Sequence, residues 1–153
     1  MKENQKSVPA VMPYLGVRDA AAAIEFYKQA FGAVEKERLS SPDGSVAHAG
    51  IEIGDSMIML AEENPEWGNL SPSSLGGTTV RLHLYVDDVD AVFSRAIELG
   101  AKERIPLADQ FYGDRSGRIE DPFGHQWILA TRKEDVPREE MERRFAAMMA
   151  DDK

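Results

Sequence analysis

Glu120-Asp121-Pro122-Phe123-Gly124-His125 is the stretch on which the reading of this chain turns. Asp, Pro and Gly in this order punctuate a chain into a tight turn. Residues 126–130 after it are Gln-Trp-Ile-Leu-Ala, an apolar run of strand length, and 115–120 before it reads as a strand too. An earlier part of the chain repeats the arrangement. Gly54-Asp55 turns the chain between a strand at 46–53 and a very apolar one at 56–61. A shift of 69 residues carries Val17 onto Val86, Asp55 onto Gly124 and Leu60 onto Leu129. A repeat of this kind implies two similar units.

Working outward from these turns gives the rest. Residues 11–17 read as a short strand. Asp19 stands where a helix N-cap belongs, because its carboxylate can accept free backbone N–H groups. A helix at 20–31 follows, with Ile24, Tyr27 and Phe31 at helical spacing and Gly32 closing it. A strand at 33–39 and the turn Ser41-Pro42-Asp43-Gly44 complete a β-α-β-β-β module over residues 10–63. Residues 64–79, rich in Gly, Pro and Ser, read as a linker or mobile rim loop. The second module spans 80–132: a strand at 80–86, Asp88 as cap, a helix with Val89, Val92 and Ala96, Gly100 closing it, then three strands. The helix ends match at a shift of 68, a one-residue deletion. Residues 133–153 form a helical tail, with Glu139/Arg143 and Glu140/Arg144 at i,i+4 spacing and an apolar stripe of Met141, Phe145 and Met148. Such a helix packs on its own domain or on a partner subunit.

Composition excludes several functions. A formal charge of −9 with no basic stripe argues against nucleic acid, whose phosphates need clustered Lys and Arg. No apolar run is long enough for a membrane span, and Met1 to Ser7 is polar where a secretory signal would be apolar. The 153 residues include no cysteine, so disulfides and thiolate metal sites are ruled out and a cytoplasmic location is expected.

Two tandem βαβββ modules resemble the vicinal oxygen chelate superfamily, which includes glyoxalase I, extradiol dioxygenases, fosfomycin-resistance enzymes and bleomycin resistance proteins. The resemblance covers about residues 10–132. It rests on Gly16-Val17-Arg18-Asp19, on Ile24-Glu25-Phe26-Tyr27 leading to Phe31-Gly32-Ala33, on Tyr85-Val86-Asp87-Asp88, and on the turn at 120–125. It implies an α+β fold, a cupped mixed eight-stranded sheet holding the ligand, plus the C-terminal helix, and a homodimer. In the metal enzymes of the family, first and last strands of each module carry the ligands. Counting from the motifs, those positions fall here on Met12, Met59, Arg81 and Ile128. A soft thioether, an alkyl chain and a permanent cation do not suit a hard or borderline divalent ion. No metal and no cofactor is therefore expected. A rearranged site from His48, His83 and a carboxylate stays open as an alternative.

Alternate residues of a strand share a face. The cup is then lined by Met12, Tyr14, Met57, Met59, Arg81, His83, Tyr85, Gln126 and Ile128, while Ile58, Leu60 and Trp127 point outward against the helices. This is a mostly apolar pocket with a few polar groups, as small-molecule sites are. A buried Arg81 needs a partner. A carboxylate or phosphonate ligand would supply one, and so would Glu52 or Glu120. His83 reads either as a general base or as a hydrogen-bonded structural residue. His48 and His125 read as strand and turn residues. Phe111 and Tyr112, with Gly113 as a hinge, and Trp67 in the linker, either close over a ligand or simply pack.

The expected function is a metal-independent protein that binds an unknown small molecule, as bleomycin resistance proteins sequester a drug in a groove formed by a dimer. Whether it catalyses a reaction is open. The competing readings are a metal-dependent lyase, isomerase or dioxygenase of the same superfamily, and a structural or interaction module without ligand.

Overall fold

The computed structural model describes residues 8–151, which divide into two compact units meeting between Gly77 and Thr78. Met1 to Ser7, read above for a secretory signal, lie outside the described residues. The first unit runs β1 (Tyr14–Val17), α1 (Ala20–Phe31), β2 (Val34–Ser40), β3 (Val46–Ile53) and β4 (Ser56–Glu62). A 3-10 turn (Pro65–Trp67) and the single helical turn α2 (Pro72–Leu75) follow. The second unit runs β5 (Arg81–Tyr85), α3 (Val89–Glu98), β6 (Lys102–Asp109), β7 (Asp114–Glu120), β8 (Gln126–Arg132) and α4 (Arg138–Asp151). The eight strands divide four and four, into mixed sheets of order β1-β4-β3-β2 and β5-β8-β7-β6. In each, the first and last strands pair in parallel and the others antiparallel. The βαβββ reading therefore holds in both units. Among the described residues no helix is long and apolar enough to cross a membrane.

Of the helices, α1 and α3 each cover one face of their own sheet. In the first unit Ile24 and Tyr27 of α1 are fully buried, as are Val17, Ile51 and Leu60 of the sheet. In the second, Val89 and Ala96 of α3 are buried with Ile119, Trp127 and Leu129. Fully burying such side chains contributes roughly 1.5–3 kcal/mol each. The period-2 alternation leaves Met57, Met59, Gln126 and Ile128 half-buried on the opposite, helix-free face.

The caps explain the ends. Asp19, in a left-handed conformation, accepts from Ala22 N–H, and both Glu62 carboxylate oxygens accept from the N–H groups of Asp19 and Ala20. Asp88 accepts from Ala91 N–H at the start of α3. The turn at 120–125 is knitted by Asp121, whose carboxylate accepts from the N–H of Phe123 and His125 and from the Trp127 indole. That is why an Asp opens this turn and a Trp follows it.

Some boundaries differ from the sequence reading. The first strand starts at Tyr14, not at residue 11, because Pro13 has no N–H for a ladder rung; its carbonyl still accepts from Met59 N–H at 2.9 Å. Met12 is thus half-buried but outside the strand. The segment at 64–79 has structure of its own: Asn64 bridges Asn69, and Glu63 accepts from Ser71 N–H and the Ser74 hydroxyl. It lies so close over Gly16 that a Cβ there would collide with Asn69 and the Leu70 carbonyl. Gly113 is not free to hinge either, since Lys133 and Glu134 donate to its carbonyl and a Cβ on it would meet Glu134. In the tail helix Glu140 pairs with Arg144 as expected, whereas Arg143 pairs with Glu140 rather than Glu139. Phe145 stacks toward Phe111 of the same unit, ring centres 5.6 Å apart.

Candidate functional site

On the helix-free face of the first sheet, strand pairing sets Tyr14, Met59, Gly50 and Glu37 in one row, and Met57, Glu52 and Val34 in another. His48 lies opposite Leu39 on the same face. Across this face runs a hydrogen-bonded chain. The Glu37 carboxylate meets His48 Nε2 at 3.0 Å, and His48 Nδ1 meets the Tyr14 hydroxyl at 2.8 Å. A carboxylate only accepts, so a neutral His48 carries its proton on Nε2 and accepts from Tyr14 through Nδ1. In this arrangement the Tyr14 hydroxyl donates to His48 Nδ1. Gly50 leaves room beneath Glu37: a Cβ there would stand 3.2 Å from Glu37 Oε1 and press on that side chain.

Tyr14 also lines a cleft of about 860 Å³ in this unit, together with Trp67, Ala61, Asp43 and Asn69. Trp67 is 78% exposed. On the cleft's rim Glu63 holds its carboxyl down to about 2, because Ser71 N–H, the Ser74 hydroxyl and Arg18 all donate to it. These donors fix the Glu63 carboxylate at the rim.

The helix-free face of the second sheet is far more polar. One row reads Arg81, Gln126, Glu120, Lys102; the next His83, Ile128, Arg118, Ile105; the next Tyr85, Ala130, Ser116, Ala108. Asp114, 1% exposed, accepts from the Tyr85 hydroxyl at 2.6 Å and from Arg132 Nε at 2.8 Å. The hydrogen bond to Asp114 raises the Tyr85 pKa, so Tyr85 is held as a neutral phenol. Glu120 is held by Arg104 and by Gln126. The rings of His83 and Tyr85 lie 4.7 Å apart.

Tyr14 and Trp67 thus share a cleft, and Met57 and Met59 share the face on which Tyr14 stands. Arg81, His83, Tyr85, Gln126 and Ile128 share the face of the second sheet. Tyr112 lines a small hollow beside Ile128, while Phe111 packs against Phe145. Arg81 is exposed and forms no ion pair among the described residues, so burial does not force a partner on it. The buried cationic nitrogen of this face is Nε of Arg118, a half-buried residue, and it has no acceptor among the described residues. Sequence reading missed Gly50, Asp114, Ser116 and Arg118, which lie on inner strands, and Glu37 on the edge strand β2, because their partners come from neighbouring strands. Alternation along 114–120 was the available signal; what it lacked was the register that puts Arg118 beside Ile128.

The donor set does not fit a divalent ion. Met59 and Ile128 occupy their strand positions, and the side chains directly across from them are Tyr14 and His83, giving one phenol and one imidazole on separate sheets. Among the described residues no three His, Asp or Glu side chains group as metal ligands.

The profile of the glyoxalase/bleomycin resistance protein/dioxygenase superfamily matches residues 8–129, and the chain belongs to this superfamily. It is 45% identical over 137 residues to Rv0887c of Mycobacterium tuberculosis strain H37Rv, covering 88% of this chain and 81% of that one. The crystal structure of the Arabidopsis thaliana At5g48480 product is similar with a TM-score of 0.65 at 26% identity, covering 80% of this chain and 98% of that one. A glyoxalase/bleomycin resistance protein/dioxygenase family enzyme from Burkholderia phytofirmans PsJN shares the fold, with a TM-score of 0.63 at 23% identity over 78% and 94% of the two chains.

Proposed function

We propose that this protein binds a small organic molecule through its own side chains, without a resident metal ion. The observation that carries the reading is the cleft of about 860 Å³ that Tyr14 and Trp67 line, with the Tyr14 hydroxyl oriented by His48. Two aromatic surfaces and one fixed polar group supply contact area and orientation together. Met59 and Ile128 at the strand positions where metal enzymes of the superfamily carry ligands support the metal-independent half. A cytoplasmic homodimer completes the proposal: the cysteine-free sequence suits the first, and exposed Met148 and Met149 on α4 suit the second. The Glu37–His48–Tyr14 chain favours a second reading, metal-free proton transfer at the Tyr14 oxygen.

Fluorescence tests the binding reading directly. Of the two tryptophans, Trp127 is 2% exposed, so a quenchable signal reports Trp67. A panel of aromatic drug-like compounds should contain members that quench saturably, and Trp67→Phe should abolish the effect. Elemental analysis after dialysis against nickel, zinc, iron and manganese should find no stoichiometric ion. One tight ion per chain would overturn metal independence, and no saturable quencher would overturn the cleft.

A further inference from the structure

We propose that the second sheet carries an anion site of its own, with Arg118 at its centre binding the carboxylate or phosphoryl oxygens of a small ligand. The helix-free face of β7 presents Asp114, Ser116, Arg118 and Glu120 in sequence. Both carboxylates are already engaged, Asp114 by Arg132 and Tyr85, Glu120 by Arg104 and Gln126. Arg118 forms no ion pair among the described residues, and its Nε is buried without an acceptor. A guanidinium stays charged at any working pH, and its planar fork matches an oxyanion bidentately. A buried donor left unmet is costly, so native proteins supply an acceptor. No acceptor for it comes from the sheet itself, and the hollow beside it leaves room for one.

The surroundings suit that acceptor. Arg118 lines a hollow of about 200 Å³ with Ile105, Gln110, Tyr112, Ser116 and Ile128. This is smaller than the roughly 300–1,000 Å³ of a drug-sized site, and fits an ionic head group. Its other donors are weakly committed. Tyr112 and Ser116 hydroxyls sit 3.4 Å apart, and Gln110 Nε2 reaches two carbonyls only at 3.4 and 3.5 Å. These are at the long end for hydrogen bonds, so an anion can recruit them.

Calorimetric titration of the full chain in low-chloride buffer, with inorganic phosphate in one arm and benzoate in the other, tests the assignment. One saturable site per chain is expected for at least one probe, and the arm that binds names the source of the oxyanion. Arg118→Gln should weaken it about tenfold or more, the loss expected when a charged hydrogen-bond partner goes. Should that variant misfold by circular dichroism, Ser116→Ala serves instead, with a several-fold loss. No saturable binding of either probe to the wild type overturns the proposal. So does a variant that binds within twofold of it. The outcome is independent of Trp67 quenching, which reads the other unit.

Discussion

Glu37 meets His48 Nε2 at 3.0 Å while passing over Gly50, where a Cβ would lie 3.2 Å from Glu37 Oε1 and 3.3 Å from its Cγ. The backbone of Gly50 needs no left-handed conformation, since it is absent from the positive-φ residues. Alanine is therefore acceptable to the strand and harmful only to the contact. Gly50→Ala should change stability by no more than about 1 kcal/mol, the gain in strand entropy offsetting a weakened, half-exposed hydrogen bond. It should nonetheless shift the His48 imidazole nitrogens in 15N spectra away from an Nε2-protonated tautomer. Unchanged nitrogen shifts would mean that Glu37 does not set the tautomer.

Asp121 concentrates three donors on one buried carboxylate at the turn before β8. Asp121→Ala leaves the Phe123 and His125 N–H groups and the Trp127 indole short of that acceptor. The expected cost is about 2–4 kcal/mol in urea denaturation, with Trp127 fluorescence as the probe. A loss below 1 kcal/mol would show that water replaces the carboxylate.

Stability should fall at both ends of the pH scale for identifiable reasons. Glu63 titrates at about 2 in the folded chain against a usual 4.5, chiefly because Ser71 N–H donates to it. A depressed carboxyl contributes stability above its unfolded value, and that contribution is lost as pH falls from 4.5 toward about 2. Glu63→Gln should flatten this acid limb. Tyr85 is raised above its usual 10.0 by its hydrogen bond to Asp114. Its contribution is present below that value and is lost as pH rises above it, so Tyr85→Phe should flatten the alkaline limb. Midpoints from denaturation across pH check both, and parallel curves for variant and wild type would refute either assignment.

The tail helix leaves an apolar surface uncovered. Phe145 is anchored on Phe111, but Met148 and Met149 remain 40% and 49% exposed. Light scattering should give a dimer mass for the wild type, and the double change Met148→Glu with Met149→Glu should shift it toward monomer. A monomeric wild type would remove the dimer from the proposed function.

Much of this was legible before any coordinates. The turn at 120–125, the caps Asp19 and Asp88, and Gly32 fixed where elements begin and end, because turns and caps depend on a few adjacent residues. Alternation along β4 and β8 correctly sent Ile58, Leu60 and Trp127 to the helix side. Reading Arg81 as the buried cation failed, because burial of a strand residue depends on what covers it and Arg81 lies on an outer strand. Pro13 shortens the first strand for a reason visible in the sequence, its missing N–H, and leaves Met12 outside it.

The sequence by itself determined two βαβββ units, their repeat and the faces of their strands, since local hydrogen bonding and period-2 burial are encoded in neighbouring residues. Only the tertiary structure decided which side chains meet across strands. Glu37, His48 and Tyr14 come from β2, β3 and β1, and Arg118 stands beside Ile128 by the register of β7 on β8. Register is a relation between distant segments. It is set by packing the whole sheet against its helix, and no single stretch of the chain contains it.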